Sequence, residues 1–329
     1  MIRTLYRAPD GSVRTDVAPD QYAALLAEPG GLLWVDLLGE PNEVCEPILH
    51  DTFGFHPLAV EDALQQSHVP KVDDWGPYLY LVLHAMVYHA ADGDQLSTRE
   101  LDLFLGKTYL VMHHDEPIDA VDRVWTLCQR DERHLQKGAD HLLYRLVDAL
   151  VAAYMPVVEE MDETIDDMED QLFGKPATST VERLFALKRA LLHQRRILLP
   201  QREVLNKLAR DDYAVIDANE RVFFRDVYDH LVRLHDINES MRDLVGGALD
   251  TYLSVVNNRL NEVMRTLTLI TTLFMPISFV AGFFGMNFFQ PVFESLKVWT
   301  GPSAFLLMMA VMVLTPVAMY LWMRKRAWM

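Results

Sequence analysis

Ten residues set at helical spacing carry most of the chemistry this sequence can offer. Ser254, Asn257, Asn261, Met264, Thr268, Thr271, Met275, Ser278, Gly282 and Gly285 follow one another at steps alternating between three and four. On a helix that rhythm keeps one face turned inward. From Leu267 to Phe284 the chain carries no charge, and it is long enough to cross a bilayer, which needs ~20 apolar residues. Lipid does not favour a row of amides and hydroxyls, so such a row on a membrane helix faces another helix or water. Helix packing through small residues and a water-filled path both fit the row by itself. Two features favour the path: the row runs far beyond the apolar stretch, and it ends in Gly285-Met286-Asn287. Asp250, one step before Ser254, would add a ring of carboxylates at one mouth of such a path. Met264, Leu267 and Met275 are the bulky members on or beside the row. Repeated around an axis, they would form apolar constrictions that gate by excluding water.

Other clusters are less specific. Glu159 to Asp170 (EEMDETIDDMED) carries eight carboxylates. It reads either as a solvated acidic face or, in several copies around a vestibule, as a reservoir of divalent cations. His113-His114-Asp115-Glu116 offers ligand types, but it follows a strand, where adjacent side chains point to opposite faces. It therefore reads as a solvated strand end. There is no phosphate-binding loop, GxSxG or HExxH, so no enzyme and no organic cofactor is expected. A net charge of -17 argues against nucleic acid and for small cations as partners. The two cysteines, Cys45 and Cys128, form no CxxC and imply no disulfide framework. The N-terminus lacks the apolar run of a signal peptide.

The elements that must position these groups fall into three regions. Residues 1–140 read as an α/β domain. Ile2 to Tyr6 and Val13 to Val17 flank a Pro-Asp-Gly-Ser turn and predict a hairpin. Gly31 to Leu38 is a buried strand, and Tyr78 to Tyr88 a long one. Leu101 to Leu105 and Thr108 to His113 form a second hairpin. Asn42 is a candidate N-cap for a helix reaching Phe53, His56 to Gln65 forms another, and Ile118 to Gln136 is helical. Residues 141–262 form a long-helix region, with helices over Ala139 to Phe173, Ser179 to Arg210 and Asn219 onward. If continuous from Asn219 to Gly285, the third is about 67 residues, or ~100 Å at 1.5 Å per residue. Gly246 and Gly247 lie inside it and could mark a bend. No compact monomeric domain needs such a helix; a funnel continuing into a membrane pore does. Residues 263–329 form the membrane region, with spans over about 266–285 and 300–323, the second contained in the uncharged run Val298 to Met323. Arg259 and Arg265 before the first span, and Arg324, Lys325 and Arg326 after the second, put both termini in the cytoplasm.

Gly-Met-Asn at the end of the first of two C-terminal membrane helices resembles the CorA family of magnesium transporters. The surrounding NNRLNEVMRTLTLITTLFMPISFVAGFFGMNF, the basic C-terminus, HPLAVEDALQ, LLYRLVDALV and FFRDVYDH are similar to that family as well. The resemblance covers most of the chain and is thinnest over the first 50 residues. It implies an α+β fold: a cytoplasmic α/β domain, very long helices forming a funnel with an acidic hairpin outside it, and two transmembrane helices. It also implies a homopentamer in the cell (inner) membrane, surrounded by lipid.

The resemblance assigns roles residue by residue. Gly285, Met286 and Asn287 match the selectivity tripeptide. A ring of neutral amides suits Mg²⁺, which keeps its water shell, because amide oxygens can hold that shell without the slow release a ring of aspartates would impose. Asp226 matches an acidic residue that binds regulatory Mg²⁺ between subunits. Its partner falls near Tyr88 to Asp92: His89 in the matching place weakens the site for a hard cation, Asp92 could substitute, and Asp94 is close by. The alternative for Asp226 is a surface charge paired with Arg225 or Arg221. The loop after the tripeptide departs from the family in having Glu294 as its only acid, which bears on ion choice more than on fold. The implied function is passive uptake of Mg²⁺, with Co²⁺ or Ni²⁺ secondary, gated by cytoplasmic Mg²⁺. A Zn²⁺ transporter of the same superfamily, whose tripeptide usually has Ile where Met286 stands, is one alternative. A non-conducting membrane-anchored metal sensor is the other.

Overall fold

Leu32–Leu38 (LLWVDLL) shows no polar alternation, and a strand of that kind must be covered on both faces. It is β3, near the centre of a seven-stranded sheet. In the computed structural model, which describes residues 1–65, 69–90, 93–173, 178–286 and 302–325, the chain forms two compact units, Met1–Asp250 and Thr251–Met329.

The first unit carries the sheet. Its strands are β1 (Ile2–Arg7), β2 (Val13–Thr15), β3, β4 (Lys71–Asp74), β5 (Leu79–His89), β6 (Gln95–Leu105) and β7 (Tyr109–His114). They lie in the order β2-β1-β3-β7-β6-β5-β4. All neighbours are antiparallel except β3 and β7, which run parallel. Both predicted hairpins form. The strand β4 was not predicted, because Lys-Val-Asp-Asp lacks an apolar pattern; it pairs only with Leu79–Val82 of β5. Beyond it the outer edge of β5 has no strand neighbour among the described residues, and there side chains close it. Gln201 Oε1 accepts from the His84 backbone N–H at 3.1 Å, and the Tyr154 hydroxyl donates to the His84 carbonyl.

Helices cover the sheet. α1 (Tyr22–Leu26), α2 (Asn42–Pro47) and α3 (Pro57–Gln65) contribute to an apolar cluster holding Tyr22, Cys45, Phe55, Val60, Tyr80 and Phe104. α4 (Asp119–Arg130) brings Trp125 against Trp34 of β3, ring centroids 4.7 Å apart. Asn42 does not cap a helix: Pro41 precedes α2 as its cap residue, and Asn42 instead donates to the Leu64 carbonyl at 3.4 Å. Pro47 interrupts the run to Phe53, which continues as one π-helical turn, Ile48–Thr52. The helix predicted to reach Gln136 stops at Arg130, where Asp131 turns extended and caps a 3₁₀ turn, Glu132–Leu135.

Between Ala139 and Gly285 four helices follow among the described residues. The segment predicted as one helix from Ala139 is two, α5 (Ala139–Ala152) and α6 (Tyr154–Phe173), separated by a turn at Ala153. α7 spans Thr178–Arg210. It is tied to the sheet by Arg183, whose guanidinium donates to both oxygens of the fully buried Asp94 at 2.8 and 3.1 Å. A buried amide pair, Asn238 Nδ2 to Gln194 Oε1 at 2.7 Å, joins α7 to the next helix. That helix, α8, runs from Arg221 to Gly285 without a break, 65 residues, so the glycine pair at 246 and 247 does not interrupt it. The second unit consists of the end of α8 and α9 (Pro302–Lys325). Predicted positions 298–301 of the second span lie outside the described residues.

Candidate ion path and sensing residues

Among the described residues three helical stretches are long and apolar enough to cross a membrane: Ala139–Gln171, Arg221–Phe283 and Phe305–Lys325. Burial separates them. The apolar window of the first is 56% buried inside the protein, so its greasy face is spent on the core of the first unit. The windows of the other two are 0% buried. A helix whose apolar side chains are left unburied needs lipid or further copies around it. Phe274, Phe279, Phe305, Leu306 and Leu314 are among the large apolar side chains left exposed.

The polar row sits on this exposed helix. Asp250, Ser254, Asn257, Asn261, Met264, Leu267, Thr268, Thr271, Met275, Ser278, Gly282, Gly285 and Met286 are all exposed. The part-covered residues of the same stretch are others: Leu269, Thr272, Leu273, Pro276, Ile277 and Val280. They lie one or two residues, and so at least about 100° of helix rotation, from the nearest row members. On α9 the part-covered positions Met308, Met312, Thr315, Pro316 and Met319 also recur at three- and four-residue steps. Cover within one chain therefore falls on a different face of α8 from the row. Packing of small residues within one chain does not explain the row.

Hydrogen bonding sets what the row presents. Thr268 Oγ1 donates to the Met264 carbonyl at 2.7 Å and Thr271 Oγ1 to the Leu267 carbonyl at 2.9 Å. With the proton directed back along the helix, each hydroxyl turns its acceptor lone pairs outward. Acceptors are what the outward-pointing hydrogens of a hydrated cation require. Asn287, the end of the row, lies outside the described residues.

The sensing candidates divide. Asp226 is exposed on α8. Among the described residues Arg221 pairs with Asp212 at 2.5 Å rather than with Asp226. The carboxylate lies close enough to α5 to act on Tyr144: burial raises that phenol above its usual range, and the charges of Asp148 and Asp226 add to the rise. His89 is exposed at the end of β5, its Nε2 3.3 Å from Ser97 Oγ. Asp92 lies outside the described residues. Asp94 is not available to an ion from solvent, since Arg183 and the Tyr88 hydroxyl (3.0 Å) enclose it. On α6, seven acids of the carboxylate-rich segment are exposed, while Met161, Ile165 and Met168 are buried on the opposite side. That is an amphipathic helix with a solvated acidic face, and among the described residues no group of three His, Cys, Asp or Glu is placed to hold a metal ion.

The His113-His114 run differs from expectation. It is not a solvated strand end: the two histidines are 3% and 1% exposed. They do point to opposite faces. His114 bonds Asp36 at 2.9 Å, and His113 faces Asp102 across β6. Helices on both faces of the sheet bury what an isolated strand would expose. Burial pushes the Asp102 carboxyl up to about 6.

An α/β domain leading into a 65-residue helix, whose far end is apolar, uncovered and striped with amides and hydroxyls, defines a membrane transport protein. The particular family follows from comparison. The family model described as "CorA-like Mg2+ transporter protein" matches residues 29–325, and the chain belongs to that family of divalent metal transporters. It is 37% identical over 298 residues to the cobalt/magnesium transport protein CorA of Thermotoga maritima, covering 90% of this chain and 83% of that one. The complete structure of the CorA magnesium transporter from Methanocaldococcus jannaschii superposes with a TM-score of 0.83, covering 99% and 98% of the two chains at 21% identity, and so shares the fold. A more distant relative, the zinc transport protein ZntB of Yersinia pseudotuberculosis, is 23% identical over 277 residues, 83% of this chain and 81% of that one.

Proposed function

We propose that this chain assembles as a homopentamer in the cell (inner) membrane and conducts Mg²⁺ passively inward, with Co²⁺ and Ni²⁺ as secondary ions. The observation that carries the reading is the exposed polar row on an unbroken α8. Copies around an axis would turn that row into a water-filled path, with Asp250 at the cytoplasmic mouth and Gly285, Met286 and Asn287 at the outer one. Met264, Leu267 and Met275 would be its constrictions. Both termini are cytoplasmic in this reading, consistent with Arg324 and Lys325 in the last turn of α9. The membrane potential drives uptake without ATP: a divalent ion gains roughly 4.6 kcal/mol per 100 mV, twice the single-charge value. Cytoplasmic Mg²⁺ held between subunits at Asp226, with Asp92 and His89 facing it, favours the closed state, and its loss shifts the population toward open.

Names of relatives support Mg²⁺ and Co²⁺: the Thermotoga protein, at 37% identity, is a cobalt/magnesium transporter, whereas the zinc protein is 23% identical. Met286 in the tripeptide supports the same choice. The deciding experiment is ion flux into liposomes containing the purified protein, compared across Mg²⁺, Co²⁺, Ni²⁺ and Zn²⁺. Mg²⁺ uptake that follows an imposed potential is expected. Uptake of Zn²⁺ alone would replace the reading with the zinc alternative, and no flux of any ion would leave a membrane-anchored sensor.

A further inference from the structure

Three neighbouring strands bring four metal-binding side chains to one face of the sheet. His84 stands on β5, Glu100 and Asp102 on β6, and His113 on β7. Register sets His84 opposite Glu100 and Asp102 opposite His113. Directly opposed side chains have Cβ atoms about 4.5–5.5 Å apart, and residues two apart on a strand share a face. His84, Asp102 and His113 are buried, at 2%, 2% and 3% exposure, and Glu100 is part-buried, its side chain 8% exposed. Together with Ala63, Thr98 and Arg99 they line a cavity of about 240 Å³, which the half-exposed Asp115 also lines.

Hydrogen bonding within this group is incomplete. Neither ring nitrogen of His113 makes a full hydrogen bond, though the ring lies against Asp102 and the Cys45 thiol, and Nδ1 of His84 makes none, whereas buried polar atoms are nearly always paired. Carboxylates stand nearby at longer range. His113 Nδ1 is 3.8 Å from Asp102 Oδ2, His113 Nε2 is 3.9 Å from Asp115 Oδ1, and His84 Nε2 is 3.5 Å from Glu100 Oε2. These separations are too long for good hydrogen bonds. They approach the spacing of two ligands on one tetrahedral ion, ~3.3 Å for bonds of ~2.0–2.1 Å.

The surroundings orient the ligands. Tyr80 donates to Asp102 Oδ1 at 2.6 Å, which leaves Oδ2 toward His113. The backbone of His84 is fixed by Gln201 and Tyr154. Contacts of this outer kind are what metal ligands use to hold orientation. His114 supplies the contrast. Its Nδ1 is bonded to the Glu116 carbonyl at 2.7 Å and its Nε2 to Asp36, so it has no nitrogen to give.

We propose that His84, Glu100, Asp102 and His113 bind one first-row divalent transition ion, of the class of Zn²⁺, Co²⁺ or Ni²⁺, inside the α/β unit. No three of the described donors already meet at one point; the ion draws them in by side-chain rotation from their present spacing. Imidazole suits these metals, whereas Mg²⁺ prefers oxygen ligands and keeps its waters. The site therefore discriminates between ions that differ in softness.

The test is titration of the full-length protein in detergent with Co²⁺ under a large excess of Mg²⁺. One Co²⁺ per chain is expected, resistant to Mg²⁺ and showing the intense visible absorption of a four- or five-coordinate ion. His113→Gln and Asp102→Asn are each expected to weaken it at least tenfold with the circular dichroism unchanged. Absence of Mg²⁺-resistant Co²⁺, or equal binding in both variants, overturns the proposal. Should a variant not fold, X-ray absorption on the Co²⁺-loaded wild-type protein decides instead: scattering from two imidazoles is expected, and an oxygen-only shell overturns it.

Discussion

Asn287 and Asp226 carry the two sharpest expectations for single residues. Asn287→Ala should abolish or greatly reduce Mg²⁺ flux while leaving insertion and assembly intact, because the amide serves the ion more than the packing. Asn287→Asp separates this from a helix-capping role worth ~1 kcal/mol, since Asp caps equally well. Altered ion preference in that variant is expected; wild-type flux and preference in both variants would sink the assignment to the outer mouth. Asp226→Ala should raise flux at high internal Mg²⁺, measured in vesicles loaded with the ion, and unaltered inhibition would place the sensor elsewhere. Both residues stand out in the sequence because their neighbours on one helix do. His113 does not: its partners come from β5 and β6, and no spacing along a single strand reveals a register between strands. Nor could the sequence show that Asp94, beside the sensing candidates, is consumed by Arg183 from 89 residues away.

At the scale of elements, the longest helix and the short α3 (Pro57–Gln65) were legible, while the ends and breaks of the other helices were not. A period of 3.6 sustained over dozens of residues outweighs local exceptions, which is why α8 absorbs Gly246 and Gly247 and runs on to Gly285. Short segments are decided by one or two residues: Pro47 ended α2, Asp131 ended α4, and the turn at Ala153 divided a helix that periodicity read as continuous. β4 forms because β5 offers it an edge, not because its own residues demand it. The tie between α7 and the sheet is open to measurement. Arg183→Ala leaves a carboxylate with 0% exposure, among the described residues, to the Tyr88 hydroxyl alone. Loss of such a partner costs about 1–3 kcal/mol. The melting temperature of the α/β unit should fall by several degrees, with Arg183→Lys intermediate because it restores charge without the two-pronged geometry. An unchanged melting temperature would show that the tie contributes nothing.

For the whole molecule the expectation is assembly and orientation. Native mass measurement in detergent should give five copies, and a reporter fused after Met329 should lie in the cytoplasm; an external reporter would overturn the topology. The fold class was readable because the apolar, uncharged stretches and the acidic, mixed-pattern remainder differ so strongly in composition. The number of copies was not, since one chain shows only that its polar row is exposed. The grip of Tyr154 and Gln201 on His84 has a consequence of another kind. Past the short β4, β5 would otherwise present free backbone donors and acceptors, the template on which strands of separate molecules add to one another. α6 and α7 reach this edge only after more than 60 further residues have been made. During synthesis the sheet is therefore open to misassembly until those helices arrive, and damage to them would surface first as aggregation during biogenesis rather than as a defect in the finished protein.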